Sequence, residues 1–225
     1  MGNSDLHGSA PDQCNVALLL IDVINDLEFE GGGDLLKHAL PMAKRILTLK
    51  KRMKQRGIPV IYVNDNFGKW QSDFKKLVRH CLDDEVRGKP LAELLAPDEE
   101  DYFVLKPKHS GFFSTSLDLL LRHLGARSLV LAGIAANNCV LFTANDAYMR
   151  DFKIFVPRDC VASETIEANE SALAQMELVL KADLRPSTEL DLSGDGYPSM
   201  RHAQGGDDEA TKQTERATAK GGHSG

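Results

Sequence analysis

Residues 15–23 read NVALLLIDV, a run too uniformly apolar to alternate between core and solvent. A strand with one wet face alternates with period two, whereas a strand covered on both faces does not. The same texture returns at IPVIYVND (58–65), YFVLK (102–106), SLVLAGI (128–134) and KIFVPRD (153–159), with ADLRPSTEL (182–190) as a sixth segment. Between these runs lie stretches with helical spacing: MAKRILTLKKRMKQRG, TSLDLLLRHLG, residues 138–151 and ANESALAQMELVLKA. Doubly covered strands alternating with amphipathic helices predict a three-layer α/β/α fold. Its core is a doubly wound, mainly parallel sheet of about six strands.

The chain has 225 residues, enough for one such domain to bury a sizeable core. Beyond Asp191 it turns rich in Gly, Ser, Thr and charge, and such a segment buries too little to offset its ordering entropy. Residues 15–190 are therefore expected to form the folded domain, residues 1–14 a flexible N-terminus and residues 191–225 a disordered polar tail. A formal charge of −6 argues against a nucleic-acid partner, which would select a basic face. Apolar runs such as VALLLI are too short to span a bilayer, so no membrane partner is expected. MGNSDLHGSA carries no apolar signal-peptide core, which gives a cytoplasmic expectation. Cys14, Cys81, Cys139 and Cys160 show neither a C-x-x-C pair nor histidines at ligand spacing, so free thiols are expected.

Open α/β sheets bind ligands beyond the carboxyl ends of their strands. The first strand ends at Asp22, the third at Lys106, and the fourth runs into the turn before Cys139. Each alone has an ordinary explanation: a loop-capping carboxylate, a solvated strand end, a small core thiol. Cys139 also opens a helical pattern in which Val140, Ala144 and Ala147 share a face. The positive end of a helix dipole favours negative charge, so the expectation is a thiol that titrates low. The run EGGGD at residues 30–34 lacks the spacing of a phosphate-binding loop.

The segments LLLIDVINDL, VLKPKHSGFF and GIAANNCVLFTANDA, in that order, resemble the isochorismatase-like cysteine hydrolases over roughly residues 15–190. That family includes nicotinamidases, N-carbamoylsarcosine amidase and the ureidoacrylate and biuret amidohydrolases. The resemblance implies a catalytic triad of Asp22, Lys106 and Cys139, acting on a small amide or ureido C–N bond through a thioester. It selects Lys106 over Lys108 because Ser110 follows four positions later. It further implies a cis peptide between Ile134 and Ala135, and an oxyanion hole made by the backbone N–H groups of Ala135 and Cys139. A homo-oligomer is implied as well, with a small-molecule amide or ureide as the other partner. Two alternatives use the same scaffold. A vinyl-ether hydrolase of the isochorismatase type would use Asp22 without the thiol, and a non-catalytic binding module would not require all three.

One departure from the family bears on metals. Nicotinamidases build a metal site from an Asp-x-His pair after the second strand, where this chain has Asp65 and then Phe67. An apolar ring in place of imidazole removes a principal ligand, so the expectation is no metal and no cofactor. His80 and His109 are read as surface or packing histidines. Candidate substrate-binding residues are Phe29, Asn66, Trp70, Phe112 and Asn138, with Phe67 and Phe113 as further aromatic candidates near the strand ends.

Overall fold

The structure is a computed structural model that describes residues 14–67 and 73–192. Trp70, the expected N-terminal segment up to residue 13 and nearly all of the expected tail lie outside the described residues, while Cys14 is buried and donates its N–H to the Leu124 carbonyl. The strands are β1 (Val16–Ile21), β2 (Val60–Asp65), β3 (Tyr102–Lys106), β4 (Ser128–Ile134), β5 (Lys153–Phe155) and β6 (Val161–Ala162). The helices are α1 (Gly32–Lys54), α2 (Phe74–Asp83), α3 (Lys89–Leu94), α4 (Leu117–Leu124), α5 (Leu141–Tyr148) and α6 (Ile166–Leu180). The sheet order is β3-β2-β1-β4-β5, with β6 paired to the end of β4, and every pairing is parallel.

Strand β1 lies at the centre, and its side chains show why the run has no polar alternation. Val16, Leu18 and Leu20 enter one core, while Ala17, Leu19 and Ile21 enter the other. The first core is closed by α1, α2 and α3 through Leu35, Ile46, Phe74 and Leu91. The second is closed by α4, α5 and α6 through Leu121, Ala144 and Met176. Three layers result, as the apolar runs require.

Some elements differ from the sequence expectation. Helix α1 begins at Gly32 rather than at Met42 and runs through Pro41. A proline reads as a break, but buried Leu35, Ala39, Met42 and Ala43 hold the helix to the sheet on both sides of it. The segment 182–190 contributes only an isolated bridge, Phe155 to Asp183, and the sixth strand is the two-residue β6 instead. Helices α2 and α3 had no counterpart in the sequence reading. Asp73 caps α2 by accepting from the Lys76 N–H at 2.9 Å.

One buried amine away from the strand ends is structural. Lys50 on α1 donates to Tyr62 Oη at 2.9 Å and pairs with Asp101 at 2.7 Å, tying the segment before β3 to α1. No helix among the described residues is long and apolar enough to cross a membrane.

Gly133 closes β4 against β1 with φ 126, and a Cβ there would lie 2.1 Å from the Ile21 carbonyl oxygen. Both the conformation and the contact exclude a side chain. Gly133→Ala is expected to cost about 3 kcal/mol or more, read as a lowered denaturant midpoint. An unchanged midpoint would show that the β1–β4 approach relaxes freely.

Candidate active site

Strands β2 and β4 lie on opposite sides of β1, so the chain reverses its winding there and a crevice opens at the carboxyl ends of β1 and β4. Asp22 follows β1 with φ 50, and its backbone N–H donates to the Val63 carbonyl at 2.9 Å. Its carboxylate is held on two sides. Oδ1 accepts from the Asp65 N–H at 2.7 Å, and Oδ2 lies 2.8 Å from Lys106 Nζ.

Lys106 ends β3, and its side chain is fully buried. Strands β3 and β4 are separated by β2 and β1, a distance of roughly 14 Å at ordinary strand spacing. The lysine stem covers part of that gap, which brings Nζ to 3.4 Å from Cys139 Sγ and 3.7 Å from Asp65 Oδ2. Lys108 is exposed instead. Asp22, Lys106 and Cys139 thus meet in one cluster.

Cys139 sits in a wide π-helical turn, residues 136–140, that precedes α5. The Ile134–Ala135 peptide before it is cis. Within the turn, the N–H groups of Asn138 and Val140 donate to the Ala135 carbonyl at 3.0 and 3.1 Å. The Asn137 N–H reaches Ser163 Oγ at 3.3 Å. The N–H groups of Ala135 and Cys139 take no part in these bonds. Asn138 is half-buried beside them.

The electrostatics reverse one expectation. Burial and the adjacent Asp22 carboxylate push the Cys139 thiol up to about 12, with Lys106 opposing them. A dipole at the head of one turn is outweighed by desolvation and by a full negative charge in contact. The Asp22 carboxylate thus favours the protonated thiol. Burial raises the Asp22 carboxyl above the usual range, against the pull of Lys106. Burial works against the Lys106 charge too, but Asp22, Cys139 and Asp65 together keep the amine above its ordinary value.

The aromatic candidates divide. Phe29 is exposed on the loop after β1, and Phe113 is exposed after β3. Phe112 is buried, tilted against Phe152 with the ring centroids 6.0 Å apart and covered by the Arg150 guanidinium, so its place is in the second core. Asn66 and Phe67 line a cleft of about 590 Å³ beside Lys106, together with Asp65, Leu77, His80 and Leu105. His109 stacks on Phe142, and His80 lies between Asp84 at 2.7 Å and Asp26 at 3.2 Å. Those two carboxylates raise the His80 imidazole above its usual range.

The residues after β2 do not fit a metal. Asp65 Oδ1 accepts from the Phe67 N–H at 2.6 Å and Oδ2 faces Lys106, while the Phe67 ring is exposed. Among the described residues, no group of three or more His, Cys, Asp or Glu could hold an ion. Sequence reasoning missed Ser163 and Thr143, which are wholly buried and bonded to the Cys139 turn. An isolated serine or threonine in a sequence carries no signal for such a role.

The family model of the isochorismatase domain matches residues 16–184. The chain belongs to the isochorismatase family. An uncharacterized isochorismatase family protein of Bacillus subtilis strain 168 is 46% identical over 168 residues, which are 75% of this chain and 92% of that protein. A ureidoacrylate amidohydrolase of Acinetobacter baylyi is 29% identical over 190 residues, covering 73% of this chain and 77% of its own length. Among solved structures, N-carbamoylsarcosine amidase from Thermoplasma acidophilum superposes with a TM-score of 0.60 at 27% identity, covering 79% of this chain and 99% of that one. As a member of this isochorismatase family the chain is a hydrolase.

Because Asp22 raises the thiol and Lys106 lowers it, the two substitutions should move Cys139 in opposite directions. Asp22→Asn is expected to bring the thiol pKa down, and Lys106→Met to push it further up. The pH dependence of Cys139 alkylation, followed by peptide mapping, measures both. Shifts of the same sign would contradict the assigned charges.

Proposed function

We propose that the chain is a cysteine-dependent hydrolase of a small amide or ureido C–N bond, working through Asp22, Lys106 and Cys139. The observation that carries this reading is the mutual contact of a thiol, a carboxylate and an ammonium at the winding reversal of the sheet. The names of its relatives, an N-carbamoylsarcosine amidase and a ureidoacrylate amidohydrolase, support C–N hydrolysis.

In this mechanism the resting thiol is protonated and hydrogen-bonded to Asp22. As the sulfur attacks the substrate carbonyl carbon, its proton passes to the Asp22 carboxylate. Lys106 stays charged and stabilises the developing thiolate. The carbonyl electrons move to oxygen, and the backbone N–H groups of Ala135 and Cys139 receive that oxyanion. Donors fixed in place before the reaction are worth roughly 3 kcal/mol each. Asp22 then gives its proton to the nitrogen, the C–N bond breaks, and a thioester remains on Cys139. Water attacks the thioester while Asp22 takes its proton. The C–S bond breaks, and the proton returns to the sulfur.

The residue types fit this division of labour. A carboxyl raised by burial is a better proton carrier near neutral pH than an ordinary one. A lysine held charged by two carboxylates supplies positive potential without itself exchanging protons. Because Phe67 replaces a ligand and Asp65 is otherwise engaged, no step passes through a metal ion.

A screen for ammonia release across small amides and ureides tests this reading. Cys139→Ala is expected to abolish turnover, and acid quench of the wild type should trap a thioester on Cys139. Asp22→Asn is expected to slow the chemical step by about 10²–10⁴. Near-normal turnover by Cys139→Ala, with no adduct, would make the cysteine a bystander and favour vinyl-ether hydrolysis by Asp22. In the same assay, exhaustive chelation is expected to leave the rate unchanged. Loss of turnover restored by a divalent metal would overturn that expectation.

A further inference from the structure

Lys106 ends β3 and Cys139 lies in the turn after β4, strands separated by two others, so no shared β ladder fixes the distance between them. A different connection does. After β3 the chain loops back toward α5, and the Gly111 N–H donates to Thr143 Oγ1 at 3.0 Å. The same hydroxyl donates to the Cys139 carbonyl at 2.7 Å. A helical threonine commonly returns its hydroxyl to the carbonyl four residues back. What is unusual is the second bond, which makes one hydroxyl a bridge between the lysine loop and the cysteine turn.

The surroundings are built for that bridge. Thr143 is fully buried. A Cβ on Gly111 would lie 2.8 Å from Val63 Cγ1 and 3.1 Å from Leu117 Cδ2, so the close approach of this loop depends on glycine. One turn further along α5, Asp146 accepts from Ser110 Oγ, and Arg150 in turn holds Asp146 at 2.9 Å. Ser110 Oγ also accepts from the Phe112 N–H at 3.1 Å, which fixes the loop's own shape. Two polar attachments, three residues apart on one helix, thus join the segment after Lys106 to the helix that continues from Cys139.

We propose that Thr143 is a positioning residue, whose hydroxyl sets the separation of the Lys106 ammonium and the Cys139 sulfur by bridging the two backbone segments that carry them. The proposal rests on the roles given to Lys106 and Cys139 above. A change in their spacing acts on the nucleophile directly, because Lys106 stays in its ladder with β2 and a Cys139 turn released from the loop shifts its sulfur against that fixed ammonium. A sulfur farther from the ammonium loses part of the cation that favours its thiolate.

The test uses the full chain with Thr143→Val, which keeps the shape and removes the hydroxyl, and Thr143→Ser, which restores it. The first readout needs no substrate: the rate of iodoacetamide alkylation at Cys139 as a function of pH. Thr143→Val is expected to slow it about tenfold at neutral pH and move its midpoint upward, as loss of one buried hydrogen bond would give. Thr143→Ser should stay within about twofold of the wild type. The second readout is turnover of any amide the wild type hydrolyses, where kcat should fall with KM little changed. A folded Thr143→Val protein with the wild-type alkylation profile overturns the proposal, as does Thr143→Ser impaired as severely as Thr143→Val. Should Thr143→Val fail to fold, Ser110→Ala loosens the same loop through its other attachment. It is expected to shift the Cys139 profile in the same direction, and a wild-type profile there overturns the proposal equally. A wild type that hydrolyses no amide defeats the proposed function instead, while the alkylation series still decides the role of Thr143.

Discussion

A lysine ammonium with no access to solvent has to be neutralised where it stands. Lys106 is such a group, and burying it unpaired would cost several kcal/mol. Asp22 supplies the partner at 2.8 Å, with Asp65 further off at 3.7 Å. The parallel register sets Asp65 opposite Lys106 and ends β2 and β3 at the same level. Asp22, one residue past the end of β1, reaches that level from the other side. Removing either member of the pair strands the other in a desolvated site, so the pair fixes local structure before it supplies any chemistry.

The same pair shapes the environment of the thiol. Asp22 and Lys106 sit side by side, so Cys139 faces a strong local dipole more than a net charge. The negative end wins at rest and keeps the proton on sulfur; the positive end is in place when that proton leaves. In a site from which water is excluded, both interactions are stronger than they would be at the surface. In this chain Asp65 is turned back toward the lysine.

Much of this was legible in the sequence, for identifiable reasons. The uniform apolar texture of β1 and β4 announces strands covered on both faces, and that fixes the layer architecture. Polar residues placed directly after such strands must lie at the sheet's carboxyl edge, which is why Asp22, Lys106 and Cys139 stand out. Helices α2 and α3 were not legible because they are short, at 10 and 6 residues, so packing decides their conformation more than local pattern does. Phe112 was placed wrongly for a related reason: an apolar side chain near a strand end suits a pocket or a core equally, and only the positions of Phe152 and Arg150 distinguish them. The direction of the Cys139 shift depends first on its burial and then on its contact with Asp22. Sequence spacing gives the helix terminus but not that distance.

A sulfur kept protonated has a consequence outside turnover. Peroxides and disulfides react with the thiolate, and a thiol without that character climbs the oxidation ladder slowly. Burial pushes Cys81 and Cys160 up to about 12 as well, so these two share the protection given to Cys139. A thiol held in this way carries little standing liability to oxidants, because the thiolate they attack is scarce until the sulfur gives up its proton.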